Sequence, residues 1–278
     1  MLALVANIFN SMLPDFLRTH PVFTAKELTE YLARQKARSK WTEKALLAYH
    51  QKKKHIARVR RGLYATIPPG TKTGTPPIDP YLLASRMAED AVLAYHTALE
   101  FHGRAYSTFQ NFYYLTNSSA RVVVYRGSRF QPVKFSRRLR QQGKTQFGVL
   151  DRERLGLPLR VTSLERTLVD ALDRPDLCGG WEEVWRSLES VEFFDLDQVV
   201  EYSLLLANAT TIAKVGFFLE QHRQALMVEE SHLRPLREHR PRSPHYAERG
   251  NKRPVQLSPE WNLILPTDVV ERSWEEVR

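Results

Sequence analysis

The sequence predicts an α+β protein in two parts, and three observations predict it. Helical periodicity gives way to a short β-prone hairpin near residue 55. A proline- and glycine-rich segment interrupts the pattern from Pro68 to Pro80. Strand-like and helix-like runs then alternate irregularly over the remaining length. A chain of 278 residues is long for one domain and short for three. The expected division is a helix-and-hairpin module over 1–67, a linker over 68–80 and a mixed α+β domain over 81–278, open to subdivision near 175–180.

The first helix is marked by Leu2, Val5, Ile8, Phe9, Leu13, Phe16 and Leu17, spaced by threes and fours, with Pro14 able to divide it. A second helix opens on Thr24-Ala25-Lys26-Glu27. In this capping-box pattern the hydroxyl and the carboxylate satisfy free backbone amides, and the helix ends near Gln35. After the polar stretch Lys36 to Lys40 a third helix is expected from about Trp41 to Lys53, with Ala45, Leu46 and Tyr49 inward and Lys40, Trp41, Glu43, Lys44, Leu47 and Gln51 outward. Residues 55–67, HIARVRRGLYATI, read as two strands hinged at Arg60-Arg61-Gly62. Three helices followed by a basic hairpin is the order of a winged helix-turn-helix.

In the second part, 80–89 and 96–101 read as helices, and 112–115, 121–125, 131–135 and 159–161 as strands. Thr162-Ser163-Leu164-Glu165 opens another capped helix, stopped by Arg174-Pro175. Helices are expected over 180–190, 196–207 and 210–227, a loop over 234–254, and a late strand over 261–265.

Charge distinguishes the two parts. Residues 1–78 contain 14 Lys+Arg against 4 Asp+Glu, and the remaining 200 contain 27 of each, so the whole net charge of +10 lies in the first part. Such a block fits a polyanion-binding module joined to a neutral partner. Duplex DNA is the polyanion that suits it. Lys40, Trp41, Glu43 and Lys44 at the start of the third helix would face base edges, and Lys52, Lys53, Lys54, Arg58, Arg60 and Arg61 would face phosphates. Trp41 has an alternative, packing against the preceding turn.

Other classes fit less well. No apolar run approaches the roughly 18 residues of a membrane span. The single cysteine, Cys178, supports neither an internal disulfide nor a Cys-based zinc site. The opening MLALVANIFNSMLPDF lacks a basic region followed by an unbroken apolar one, so a cytoplasmic protein is expected. No catalytic residue, metal or cofactor is assigned. Gly127-Ser128 resembles the start of a nucleotidyltransferase motif but has no carboxylate pair nearby. His96 and His102, six apart, point to different helix faces and read as structural. Arg166 and Asp170 read as a helix-surface or interhelix ion pair, and Arg137 to Arg140 as a basic solvated loop.

Several strings taken in order resemble a known family: Val22-Phe23-Thr24-Ala25-Lys26-Glu27-Leu28, Arg60-Arg61-Gly62-Leu63-Tyr64-Ala65, Asp79-Pro80-Tyr81-Leu82-Leu83-Ala84-Ser85, Ala98-Leu99-Glu100-Phe101-His102-Gly103, and the run from Ser163 to Asp170 with Arg174-Pro175 and Gly179-Gly180. Together with Lys214 to Glu220 and Trp261 before Leu263-Ile264-Leu265-Pro266, they resemble the AbiEi antitoxins, transcriptional regulators of viral-defence operons. The resemblance implies a winged-helix repressor of its own promoter that binds inverted repeats, and an α+β domain that provides antitoxicity. It also implies a nucleotidyltransferase-type toxin as functional partner in a type IV system, without a stable complex. Whether the protein is a dimer or assembles cooperatively on DNA stays open. Two rival readings are a nucleic-acid-processing enzyme delivered by the winged helix and a protein-binding adaptor.

Overall fold

The computed structural model describes residues 13–34, 43–71, 78–248 and 253–275. The N-terminal module runs α1 (13–19), β1 (Val22–Thr24), α2 (Ala25–Arg34), α3 (Glu43–Lys52), β2 (Ile56–Arg60) and β3 (Leu63–Thr66). Its three strands form an antiparallel sheet in the order β1-β3-β2. Strand alternation sends Phe23 and Tyr64 to one face, where they join Leu13, Phe16, Leu28, Leu46, Leu47 and Ile56 in a small core. Phe16 stands at its centre, edge-on to Phe23 at 5.1 Å and tilted against Tyr31 at 4.9 Å. The short strand β1 was not expected from sequence; three residues give too little alternation to register.

The other face of that sheet does not meet solvent. Val22 and Leu63 are buried among Leu82, Leu83, Phe112, Tyr114, Phe130 and Leu159 of the second part. Two ion pairs tie the same seam: Arg86 Nε donates to Glu27 Oε1 at 3.1 Å, and Lys26 pairs with Glu89. Glu27 is thus both the capping residue of α2, accepting from the Thr24 backbone N–H at 2.6 Å, and the anchor for a buried arginine. The expected capping box is present, with the Glu27 N–H donating to Thr24 Oγ1 at 3.1 Å.

The second part is built on a six-stranded mixed sheet, order β6-β7-β5-β4-β9-β8, formed by β4 (Val92–Leu93), β5 (Asn111–Thr116), β6 (Val123–Tyr125), β7 (Ser128–Lys134), β8 (Val149–Arg154) and β9 (Leu157–Thr162). On one face lie α4 (Pro80–Ser85) and the N-terminal module. The larger core covers the other face, drawn from α5 (His96–Phe101), α6 (Arg137–Gln141), α7 (Leu164–Asp173), α8 (Trp181–Glu189), α9 (Leu196–Leu206), α10 (Ala209–Gln221) and α11 (Glu230–Glu238). Along β5 the alternation is plain: Phe112 and Tyr114 face the module, while Tyr113 and Leu115 face the helices. A small sheet of β10 (His245–Tyr246), β12 (Leu263–Pro266) and β11 (Val255–Ser258), followed by α12 (Thr267–Glu271), closes the helical side. It is seated through Trp261, whose ring lies so close to Gly216 that a Cβ there would come within 2.1 Å of it. Glycine is therefore required in the middle of α10 by packing, despite its helix penalty.

Several sequence expectations change. The helix expected over 80–89 ends at Ser85, and that expected over 210–227 ends at Gln221 and continues as hydrogen-bonded turns. Arg137 to Arg140 is not a loop but the short helix α6, formed because Leu139 is drawn fully into the core. The segment over 234–254 contains most of α11. That helix tolerates Pro235 because a capping box at Glu229 and His232 starts it and Leu233 and Leu236 bury one face. The Arg166–Asp170 pair is buried, not on a helix surface. His96 and His102 are structural, as expected. His96 Nε2 lies 3.0 Å from Glu183 inside the core, and His102 Nε2 lies 2.8 Å from the Thr162 carbonyl.

Candidate nucleic-acid interface

The surface that could meet a polyanion is set by how α3 is rotated. Leu46, Leu47 and His50 are buried in the small core, which leaves Lys44, Ala48, Tyr49 and Lys52 facing outward. Two expected orientations are therefore reversed. Leu47 is inside because the core approaches α3 from Phe16, Leu28 and Ile56, and Tyr49 is 38% exposed. A period of 3.6 gives a stripe but leaves its rotation ambiguous by one residue, and only the packing partners resolve it.

Lys44 is exposed on the first turn of α3. Glu43 is half-buried and accepts from Thr29 Oγ1 at 2.5 Å, a contact that fixes α2 against α3. Lys40 and Trp41 lie outside the described residues. At the far end, Lys52, Lys53 and Lys54 are exposed in succession, with Lys54 in the left-handed region at φ 58. The Lys53 ammonium lies 6.0 Å from the Tyr49 ring centroid, a cation–π separation. Sequence reasoning missed Tyr49 as a surface group; its spacing from Lys52 and Lys53 was the signal available.

The helix end is joined to the hairpin through histidines. His50 Nδ1 lies 3.0 Å from His55 Nδ1, and burial, followed by the His55 charge, lowers the His50 imidazole to about 4. Near neutral pH the His50 imidazole is therefore uncharged. His20, stacked on Phe16 at 4.0 Å, is likewise lowered by burial.

Arg58 and Arg61 are exposed on the hairpin. The turn takes two residues, Arg61 and Gly62. Gly62 has φ 77, and its carbonyl accepts from the Ala25 N–H at 2.9 Å, so the hairpin tip is pinned to the start of α2 instead of projecting beyond it. Arg60 behaves differently from its neighbour. Its Nη2 donates to the Met87 carbonyl at 2.6 Å, which turns the side chain toward the second part of the molecule. The structure thus brings Lys44, Lys52, Lys53, Lys54, Arg58 and Arg61 onto the exposed surface of one small module; Arg60 is exposed as well but its guanidinium is tied to the Met87 carbonyl, and Glu43 is half-buried against α2.

Residues 11–67 match the family described as "Transcriptional regulator, AbiEi antitoxin". The whole chain shares its fold with the crystal structure of the RV2827C protein from Mycobacterium tuberculosis, with a TM-score of 0.63 and 18% sequence identity over 96% of this chain and 94% of that one. No curated protein matches the sequence. Among the described residues no helix is long and apolar enough to cross a membrane.

Proposed function

We propose that this protein is a sequence-specific DNA-binding repressor and antitoxin. In this reading residues 1–67 act as a winged helix that binds inverted repeats in the promoter of its own operon. The observation that carries the reading is the unmatched basic surface of the module: 14 Lys+Arg against 4 Asp+Glu over residues 1–78, with Lys44, Lys52, Lys53, Lys54, Arg58 and Arg61 all turned outward. The start of α3, with Lys44, would enter the major groove, and Tyr49 would lie against the backbone or a base edge beside Lys52 and Lys53. Lys54, Arg58 and Arg61 supply phosphate neutralisation, which raises affinity without choosing sequence. Arg60 acts as an anchor between the two parts.

The neutral domain carries the antitoxin role, countering a nucleotidyltransferase-type toxin in the cytoplasm without a stable complex, as in type IV systems. This reading requires no catalysis by the chain. Pairing of two modules on the repeats would follow the two-fold symmetry of the operator.

The test is a mobility-shift titration with the DNA upstream of the gene against random duplex at several salt concentrations. Preference for the upstream DNA is expected, with affinity falling steeply as salt rises. Equal binding to both duplexes would overturn the reading. Arg61→Ala should lower the salt slope by about 0.9, the value for one phosphate contact. Arg60→Ala should leave that slope unchanged.

A further inference from the structure

The even charge of the second part conceals an uneven distribution. Residues 101–150 contain nine Lys+Arg and no Asp or Glu, whereas the rest of 79–278 contains 18 Lys+Arg against 27 Asp+Glu. Arg121, Arg129, Arg137, Arg138 and Lys144 are exposed, and none of them makes an ion pair among the described residues. A cluster of one sign repels itself and favours a polyanion that neutralises it.

These side chains border a stretch of sheet that no helix covers. Register sets Val124, Arg129 and Asn111 in one row across β6, β7 and β5, and Gln131 beside Tyr113 in the next row of the same face. This is the helical side, since Tyr113 packs against the larger core, yet Val124 is 65% exposed and Val122, just before β6, is 42% exposed. Arg129 and Asn111 are exposed, and Gln131 and Tyr113 are half-buried. The N-terminal module lies on the opposite face, with Phe112 and Phe130. The helices thus leave the β6–β7 end of their side open to solvent.

The open rows offer what an unpaired base requires. Tyr113 supplies an aromatic ring, Val122 and Val124 an apolar surface, and Gln131 and Asn111 amides that donate and accept. Arg129 Nε donates to Gln131 Oε1 at 3.2 Å, which fixes the guanidinium on the sheet and leaves its charge unmatched. Burial, the largest influence, raises the Tyr113 phenol; Asp176 raises it further and Arg129 and Arg174 lower it, so all three lie near the ring. Asp176 is matched by Arg174 at 2.9 Å and does not oppose an anion. From Arg129 the cations continue past the end of β7 to Arg137 and Arg138 on α6, a track of roughly 20 Å at the rise of a strand. In a duplex the base faces are stacked on one another, whereas the bases of a single strand are free to lie on a sheet.

We propose that this open sheet face binds a single-stranded polynucleotide, with bases on Tyr113 and Val124 and phosphates at Arg129, Arg137 and Arg138. The site lies across the sheet from the N-terminal module and stands whether or not that module reads DNA.

Fluorescence anisotropy of the full chain with labelled oligothymidylate and oligouridylate of about 12 nucleotides tests the proposal, with and without an excess of unlabelled random duplex. At least one strand is expected to bind, and to stay bound when duplex is added. Tyr113→Leu should weaken it about tenfold, the loss of one stacked base, and Val124→Glu by at least as much. Arg129→Gln should lower its salt slope by about 0.7, the value for one phosphate contact on a single strand. Lys52→Gln, confined to the N-terminal module, should leave single-strand binding unchanged. A tighter oligouridylate complex assigns the strand to RNA, and a tighter oligothymidylate complex assigns it to DNA. Neither strand binding, full displacement by duplex, or Val124→Glu binding as well as wild type would overturn the site. Val124 and Arg129 are exposed, so their variants keep the fold should Tyr113→Leu melt early.

Discussion

The two parts of this molecule treat charge in opposite ways. Among the described residues of the N-terminal module the basic side chains stand outward and mostly unmatched, around a small core that includes Leu13, Phe16 and Tyr64. In the second part the two signs are equal in number, and charged groups are drawn inside as hydrogen-bonded pairs, as at Arg166–Asp170. A surface of one sign repels itself and is held together by its ligand or its scaffold, whereas a buried pair is held by its own geometry. The seam at Glu27, Arg60 and Arg86 joins the two regimes. There the second part supplies the apolar cover that the small module's sheet requires.

The largest effect should come from breaking the interior pattern. Arg166→Ala would leave Asp170 buried with only the Tyr202 hydroxyl and release two backbone carbonyls. A loss of about 3–5 kcal/mol is expected in urea unfolding of the full chain. Gly216→Ala drives a methyl into the Trp261 ring and should cost about 1–3 kcal/mol or more, visible as a lower melting temperature. At the seam, Glu27→Ala removes the α2 cap and the partner of Arg86 together. About 1–3 kcal/mol is expected, and backbone hydrogen exchange should rise across β1 and α2 before it rises in the six-stranded sheet.

Acid should act on the module in the same direction. The unfolded imidazole takes up its proton near 6.5 and the folded His50 only near 4, so between those values the unfolded state binds more protons. Stability of the α3–β2 region should therefore fall as pH drops from about 6.5 to about 4 and stay level above 6.5. Hydrogen exchange followed against pH would show it. The smallest effect is predicted for Lys26→Ala: its pair with Glu89 is solvated on both sides, and no measurable change in the unfolding midpoint is expected.

Particular residues show how far the sequence could be read. The capping box at Thr24, the hairpin turn at Gly62 and the helices over 96–101 and 196–207 depend on local hydrogen bonds and local φ/ψ preferences, and all were visible in the sequence; before α7 the box expected on Thr162 and Glu165 is instead a single N-cap by Ser163, since Glu165 accepts from the Asp195 N–H. Elements of low intrinsic signal, such as β1, β4 and α11, exist because tertiary neighbours stabilise them, so their residues carried little pattern. The candidate interface was visible as a charge block, and Lys52, Lys53, Lys54, Arg58, Arg60 and Arg61, the basic residues expected to face phosphates, are on the surface. The rotation of α3 was not, which is why Leu47 and Tyr49 exchange places.

By itself the sequence determined the confinement of the +10 charge to the first 78 residues and the resemblance that the family match bears out over 11–67. Composition and short-range spacing survive without coordinates, because charge is a sum along the chain and caps act within one turn. Only the tertiary structure decided that the Arg60 guanidinium reaches the Met87 carbonyl and that Arg166 and Asp170 are buried together. Those outcomes depend on which distant residues arrive beside each side chain, and a long-range contact leaves no mark on either of its partners alone.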